Sequence, residues 1–145
     1  MGRALIAAAL VAGAFACTES AGVTVADAYS PLPPTADVAA VYLVIRNPTG
    51  QPDTLIEVAA PSAQRAELHR QVTRDGMMFH MERVEALPVP ARDSVSLGPG
   101  GLHVMLFGLA QRPAAGDTVD LILRFRYAGA VPIAVLVKSR SEIGR

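Results

Sequence analysis

The chain has 145 residues, 51% of them hydrophobic, with Lys plus Arg and Asp plus Glu both at 13 and a formal charge of zero. That length suffices for one domain with a proper core, and a balanced charge offers no basic face to nucleic acid or to an anionic bilayer. Tryptophan is absent and aromatics are only 5%, which excludes a base-stacking platform.

The first element is a leader. MGRALIAAALVAGAFAC carries Arg3, then an apolar run over residues 4–12, then small residues before Cys17. This is the layout of a secretory signal peptide, too short for a permanent membrane-spanning helix. Residues 1–16 are therefore read as a signal, 17–22 as a short tether, 23–138 as one β-domain and 139–145 as a polar tail. Loss of the signal removes Arg3 and leaves 12 basic against 13 acidic residues, a formal charge of −1. Cys17 is the only cysteine, so no intramolecular disulfide can form. Its place directly behind the leader resembles the acylated cysteine of bacterial lipoproteins. Ala14 stands where such signals usually carry Leu, and Ala14-Phe15-Ala16 also suits ordinary cleavage. The expected location is periplasmic or secreted, with a membrane link only through a lipid on Cys17.

From Val23 onward short apolar runs alternate with Pro, Gly, Asn and Asp. DAYSPLPPTADV, with three prolines, reads as an extended crossing loop rather than a central strand. AVYLVIRN stops at the turn signal Asn47-Pro48 with Gly50 behind it. DTLIEVAAP, AELHR, MMFHMERV, SVSL and HVMLFGL follow as further strands. In TVDLILRFRY, Leu121, Leu123, Phe125 and Tyr127 alternate with Asp120, Ile122, Arg124 and Arg126, the period of a half-buried strand. VPIAVLVK closes the series. About seven strands with turn residues between them predict an all-β sandwich or small barrel.

The chemistry-bearing residues are clustered. All three histidines (His69, His80, His103) and every methionine but the initiator (Met77, Met78, Met81, Met105) fall within residues 69–105. Methionine used as core filler would be scattered. Soft thioethers with imidazoles, and no thiolate, select Cu(I). A thioether has no proton to lose and forms no disulfide, which suits an oxidising compartment. Strand alternation places His103 and Met105 on one face just after the turn Pro99-Gly100-Gly101. It also separates His80 and Met78 from Met77, Phe79 and Met81, so both faces of that strand cannot serve one site. A lone His or Met is more often a surface or core residue, so some of these are expected to be structural.

His69, Met81, His103 and Met105 follow the spacing H-x11-M-x21-H-x-M. This resembles the ligand motif of the periplasmic copper(I) chaperones of the PCu(A)C type. The likeness runs from about Val23 to Val137 and takes in AVYLVIRN with its Asn turn, Asp53, AELH, GMMFHMERV, PGGLHVMLFGL and GDTVDLILRF. It implies a cupredoxin-like Greek-key β-barrel or sandwich, and Cu(I) held by His69, Met81, His103 and Met105. It further implies a metallochaperone rather than an enzyme, delivering to the subunit II copper centre of cytochrome c oxidase with a Sco-like thiol protein as a further partner. Two features depart from the pattern. Arg70 stands where some members have a second methionine, and the ending SRSEIGR lacks the His- and Met-rich tail that binds Cu(II) in others.

Other functions compete with this one. A blue-copper electron carrier needs a Cys thiolate beside two His, and Cys17 is far from the motif. A copper enzyme needs acid–base partners, yet Glu67, Asp75 and Glu82 show no catalytic layout. Copper storage or uptake, and a secreted β-sandwich that binds no metal, are the remaining alternatives.

Overall fold

The computed structural model describes residues 22–74, 76 and 78–144. The expected signal (residues 1–16), Cys17, Asp75 and Met77 lie outside the described residues. Ten strands follow one another: β1 (Thr24–Pro31), β2 (Val38–Asn47), β3 (Asp53–Ala59), β4 (Ala63–Arg74), β5 (Met78–Arg83), β6 (Leu87–Val89), β7 (Asp93–Leu97), β8 (Leu102–Leu109), β9 (Thr118–Phe125) and β10 (Gly129–Lys138). A single helical turn, α1 (Arg140–Ile143), ends the chain. The all-β expectation holds.

The strands pair in the order β5-β4-β8-β2-β1-β10-β9-β3-β6, with β7 also on β2. Among the described residues the end strands β5 and β6 do not pair with each other, so the ten-stranded sheet is not closed, in keeping with the sandwich form of the expected barrel or sandwich. Strand β2 is the pivot. Its residues 38–41 pair with β8 and its residues 43–47 with β7. The alternate residues Ala39, Val41, Leu43 and Ile45 are all buried, and join Leu68, Val104 and Leu106 from one leaf and Leu121, Leu123, Phe125, Val135 and Val137 from the other in one core. Strict alternation along β2 and β9 thus encodes which face turns inward.

Three local readings need correcting. Residues 27–31 are strand, not crossing loop. β1 lies between β2 and β10, and Pro31 is its last residue, where the missing N–H costs least. A register shift between Ala26 and Tyr29, with Asp27 at φ 55°, absorbs the irregularity. Tyr127 does not continue the β9 alternation: the strand ends at Phe125, and Tyr127 is 75% exposed in the turn beyond. Finally, β6 was hidden by Pro88, which an edge strand paired only with β3 tolerates.

Two polar side chains are buried as turn organisers. Asn47 donates from Nδ2 to the Gln51 and Val89 carbonyls, while its Oδ1 accepts from Thr49. Asp53 accepts backbone N–H bonds from Thr54, Tyr127 and Ala128 at 2.7, 3.0 and 2.9 Å. Burial pushes its pKa up, but these amides and that of Arg126 outweigh it and hold the carboxyl below its ordinary value.

Candidate metal centre

The leaf β5-β4-β8-β2 carries the clustered His and Met. In register, His69 stands opposite His103 on one side and opposite Arg83 on the other. Glu67 stands opposite Met105, and Gln71 opposite Met81. Because alternate residues share a face, Glu67, His69, Met81, His103 and Met105 all lie on the same side of this leaf, away from Leu68, Val104 and Leu106. His80 lies on the opposite side of β5 and is exposed.

The turn before β8 is what places His103. Pro99 and Gly100 occupy the central positions of a β-turn closed by Gly101 N–H donating to the Gly98 carbonyl at 3.1 Å. Gly100 has φ 78°, the value a type II turn requires and a side chain resists. Strands β7 and β8 run in the same direction along β2, so this turn is an outward excursion between them, not a hairpin. It carries the chain from residues 43–47 of β2 to residues 38–41, where β8 also pairs with β4. The Gly101 carbonyl then accepts from Gln71 N–H at 3.1 Å and pairs with His103 Nδ1 at 2.9 Å.

The two imidazole centres are 6.2 Å apart. Tyr42 flanks His103 at 6.4 Å edge-on, and Phe107 flanks His69 at 6.0 Å. Burial, then the neighbouring Tyr29, raises the Tyr42 pKa, so this wall stays a neutral phenol. His103 is only 4% exposed, whereas Met81 is 54% exposed on the edge strand with Phe79 beside it at 70%. The site is therefore graded from a buried imidazole to an open thioether.

Hydrogen bonding sets which nitrogens are bare. A carbonyl only accepts, so His103 donates from Nδ1 to Gly101 and its Nε2 keeps the lone pair. His69 Nε2 is 2.8 Å from Glu67 Oε2. The bond from His69, with the charges of Arg65 and Arg83, holds the Glu67 carboxyl below its ordinary pKa against the effect of burial. Ionised, it can only accept. In a neutral ring this bond leaves the lone pair on His69 Nδ1, and that nitrogen is buried with no hydrogen-bond partner among the described residues. With imidazole–metal bonds of up to about 2.1 Å and ring nitrogens roughly 1.1 Å from the ring centre, two imidazoles on opposite sides of one ion have centres about 6.4 Å apart, and closer ones when the nitrogen–metal–nitrogen angle is bent. The observed 6.2 Å is within that reach for a nearly linear arrangement, and four ligands around one ion would draw the rings closer. Among the described residues no group of three His, Cys, Asp or Glu is placed to hold a metal.

The spacing of the sequence pointed to the four His and Met residues; it did not point to Glu67, Tyr42 or Phe107. The signal for Glu67 was present, since Glu-x-His in a strand puts both side chains on one face.

Comparison with known proteins agrees with the fold. Residues 23–137 match the family described as "Putative lipoprotein LpqE-like". "Putative lipoprotein Lxx21020" of Leifsonia xyli subsp. xyli (strain CTCB07) is 38% identical over 90 residues, which make up 61% of this chain and 54% of that protein. The chain thus matches about half the length of this curated relative. The copper-bound PCuAC domain from PmoF2 has a TM-score of 0.67 at 24% identity, covering 81% of this chain and 92% of that one. The solution structure of CuI-DR1885 from Deinococcus radiodurans has a TM-score of 0.59 at 34% identity, covering 82% and 76%. Among the described residues no helix is long and apolar enough to cross a membrane. From the family match and these likenesses, the chain belongs to the LpqE-like lipoprotein family and has the cupredoxin-like fold of the PCuAC copper-chaperone domains.

Proposed function

We propose that the chain is a Cu(I) metallochaperone, not an enzyme, with His69, Met81, His103 and Met105 as its copper ligands. The observation that carries this reading is the cross-strand pair His69 and His103, whose ring centres are 6.2 Å apart and whose His69 Nδ1 is buried without a partner. Two thioethers share that face. Two neutral imidazoles and two thioethers form a soft, uncharged N2S2 set, which favours Cu(I) over Cu(II) and over hard ions. The relative DR1885, structurally characterised with Cu(I), supports the metal assignment.

Delivery follows from the gradient of exposure. The buried His103 retains the cargo while the exposed Met81 gives way first to an incoming ligand. Each new bond to a partner forms as one bond to this chain opens. We assign the acceptor as the subunit II copper centre of cytochrome c oxidase, with a Sco-like thiol protein as second partner. We also assign Cys17, after removal of residues 1–16, as the lipid attachment point that holds the domain 23–138 at the periplasmic membrane surface.

The test is an anaerobic competition titration against a chromogenic Cu(I) chelator, repeated with Cu(II). One tightly held equivalent of Cu(I) and weak Cu(II) binding is the expected result. No Cu(I) uptake, or a preference for Cu(II), overturns the site. Deleting the gene should lower oxidase activity in low copper and added copper should restore it; unchanged activity removes the oxidase as acceptor.

A further inference from the structure

Glu67 is bound into the site from every side. Its Oε2 meets His69 Nε2 at 2.8 Å. Its Oε1 is held by Arg65 Nε at 2.9 Å and, at 3.4 Å, by Arg83 Nη1 from β5. The Arg65 guanidinium lies 4.4 Å from the centre of the Phe107 ring, and that ring packs against His69. Arg65, Phe107, His69 and Glu67 thus close a loop of contacts around the imidazole. The Glu67 side chain is only 13% exposed, and three donors fix its orientation.

This arrangement has a chemical consequence for the two histidines, which are not equivalent. We propose that Glu67 is a positioning residue: by accepting a hydrogen bond from Nε2–H of His69 it keeps the proton on that nitrogen and commits the imidazole to bind Cu(I) through Nδ1, while the Gly101 carbonyl commits His103 to bind through Nε2. The assignment rests on the copper-site reading above. The physical reason is the tautomer. A neutral imidazole has one bare nitrogen, and the partner of the other nitrogen decides which one it is. A carboxylate partner also makes the ligating nitrogen a better donor. Without Glu67 the ring would exchange between tautomers and turn more freely, and the ligand would have to be ordered again at each binding event.

Long-range proton–nitrogen NMR of the nitrogen-labelled full chain reads the tautomers directly. In metal-free protein with neutral rings, His69 should be protonated at Nε2 and His103 at Nδ1. Finding His69 protonated at Nδ1 overturns the proposal whether or not copper binds. Cu(I) is diamagnetic, so the same spectra follow loading: His69 Nδ1 and His103 Nε2 should shift. A shift at His69 Nε2 instead overturns this proposal alone. If no imidazole nitrogen responds to Cu(I), the copper-site reading itself falls and the ligand assignment with it. Glu67→Leu should mix the His69 tautomers and weaken Cu(I) binding about 10–100-fold. Glu67→Gln, which keeps an acceptor oxygen, should recover most of that loss. Parental affinity and an unchanged tautomer in Glu67→Leu refute the role. If that variant fails to fold, the tautomers of the parent chain still decide.

Discussion

Replacing each thioether by an isobutyl group separates ligation from packing. Met105 is half-buried on β8, between Ala40 of β2 and Glu67 of β4. Leu conserves its volume and apolar character, so Met105→Leu should change folding stability by less than about 1.5 kcal/mol. Met81 is 54% exposed on the edge strand, so Met81→Leu should stay within about 0.5 kcal/mol of the parent. Neither variant should alter the fold, yet each removes one of the four proposed ligands. A tenfold loss of affinity is about 1.4 kcal/mol, a small requirement for a lost metal–sulfur bond. Both variants should therefore bind Cu(I) at least about tenfold more weakly. Met105→Leu should lose more, because a half-buried bond meets less competition from water than one at the open edge. Thermal unfolding gives the first quantity and chelator competition the second. A variant with parental stability and parental Cu(I) affinity would mean that its methionine only packs, and the four-ligand site would be wrong at that position.

Further outcomes follow from the same geometry. His80→Gln, on the far side of β5, should leave Cu(I) affinity unchanged; a loss in the competition titration would bring His80 into the site. Gly100→Ala should destabilise the fold by about 1 kcal/mol or more, because Gly100 sits at φ 78° in the turn before β8; denaturant unfolding measures it. Asp53→Asn leaves the Ala128 amide facing a donor and removes the charge from the remaining bonds, which should cost about 2–4 kcal/mol by the same method. The folded pKa of Asp53 lies below its unfolded value, so its stabilisation is complete above about pH 3.9 and disappears as pH falls through the folded pKa. The gap between parent and Asp53→Asn should accordingly narrow only in that acidic range.

Strand alternation made β2, β8 and β9 legible, because one buried face imposes period two on the sequence. It failed at β1 and β6 for a shared reason. Proline advertises a break, but at a strand end or on an edge strand the missing N–H has no partner to lose. Openness of the sheet was not readable either, since closure depends on whether β5 meets β6 and no local pattern encodes that. The site divided in the same way. His103 and Met105 could be placed together from spacing within one strand. That His69 faces His103 depends on the long-range register of β4 on β8, and only the motif hinted at it. Glu67 was weighed as an acid–base group and passed over, because a carboxylate gains its meaning here from the imidazole beside it.

The excursion at residues 98–101 would let the proposed site combine retention and release in one small sheet. It shifts the chain from one half of β2 to the other, so that β8 enters the leaf containing β4 and β5. Within that leaf, distance from β2 sets exposure. β8 lies directly beside β2 and buries His103; β4 comes next and partly shields His69; β5 is the free edge and exposes Met81. The imidazoles are fixed by a backbone carbonyl and by a carboxylate that three donors hold. Met81 rests on an edge strand paired on one side only. Edge strands open at lower free energy than central ones. In the proposed site the thioether of Met81 therefore stands on the element most able to move, and the two imidazoles stand on elements tied to the core. Exchange begun at Met81 can proceed toward His103 without disturbing the packed face beneath.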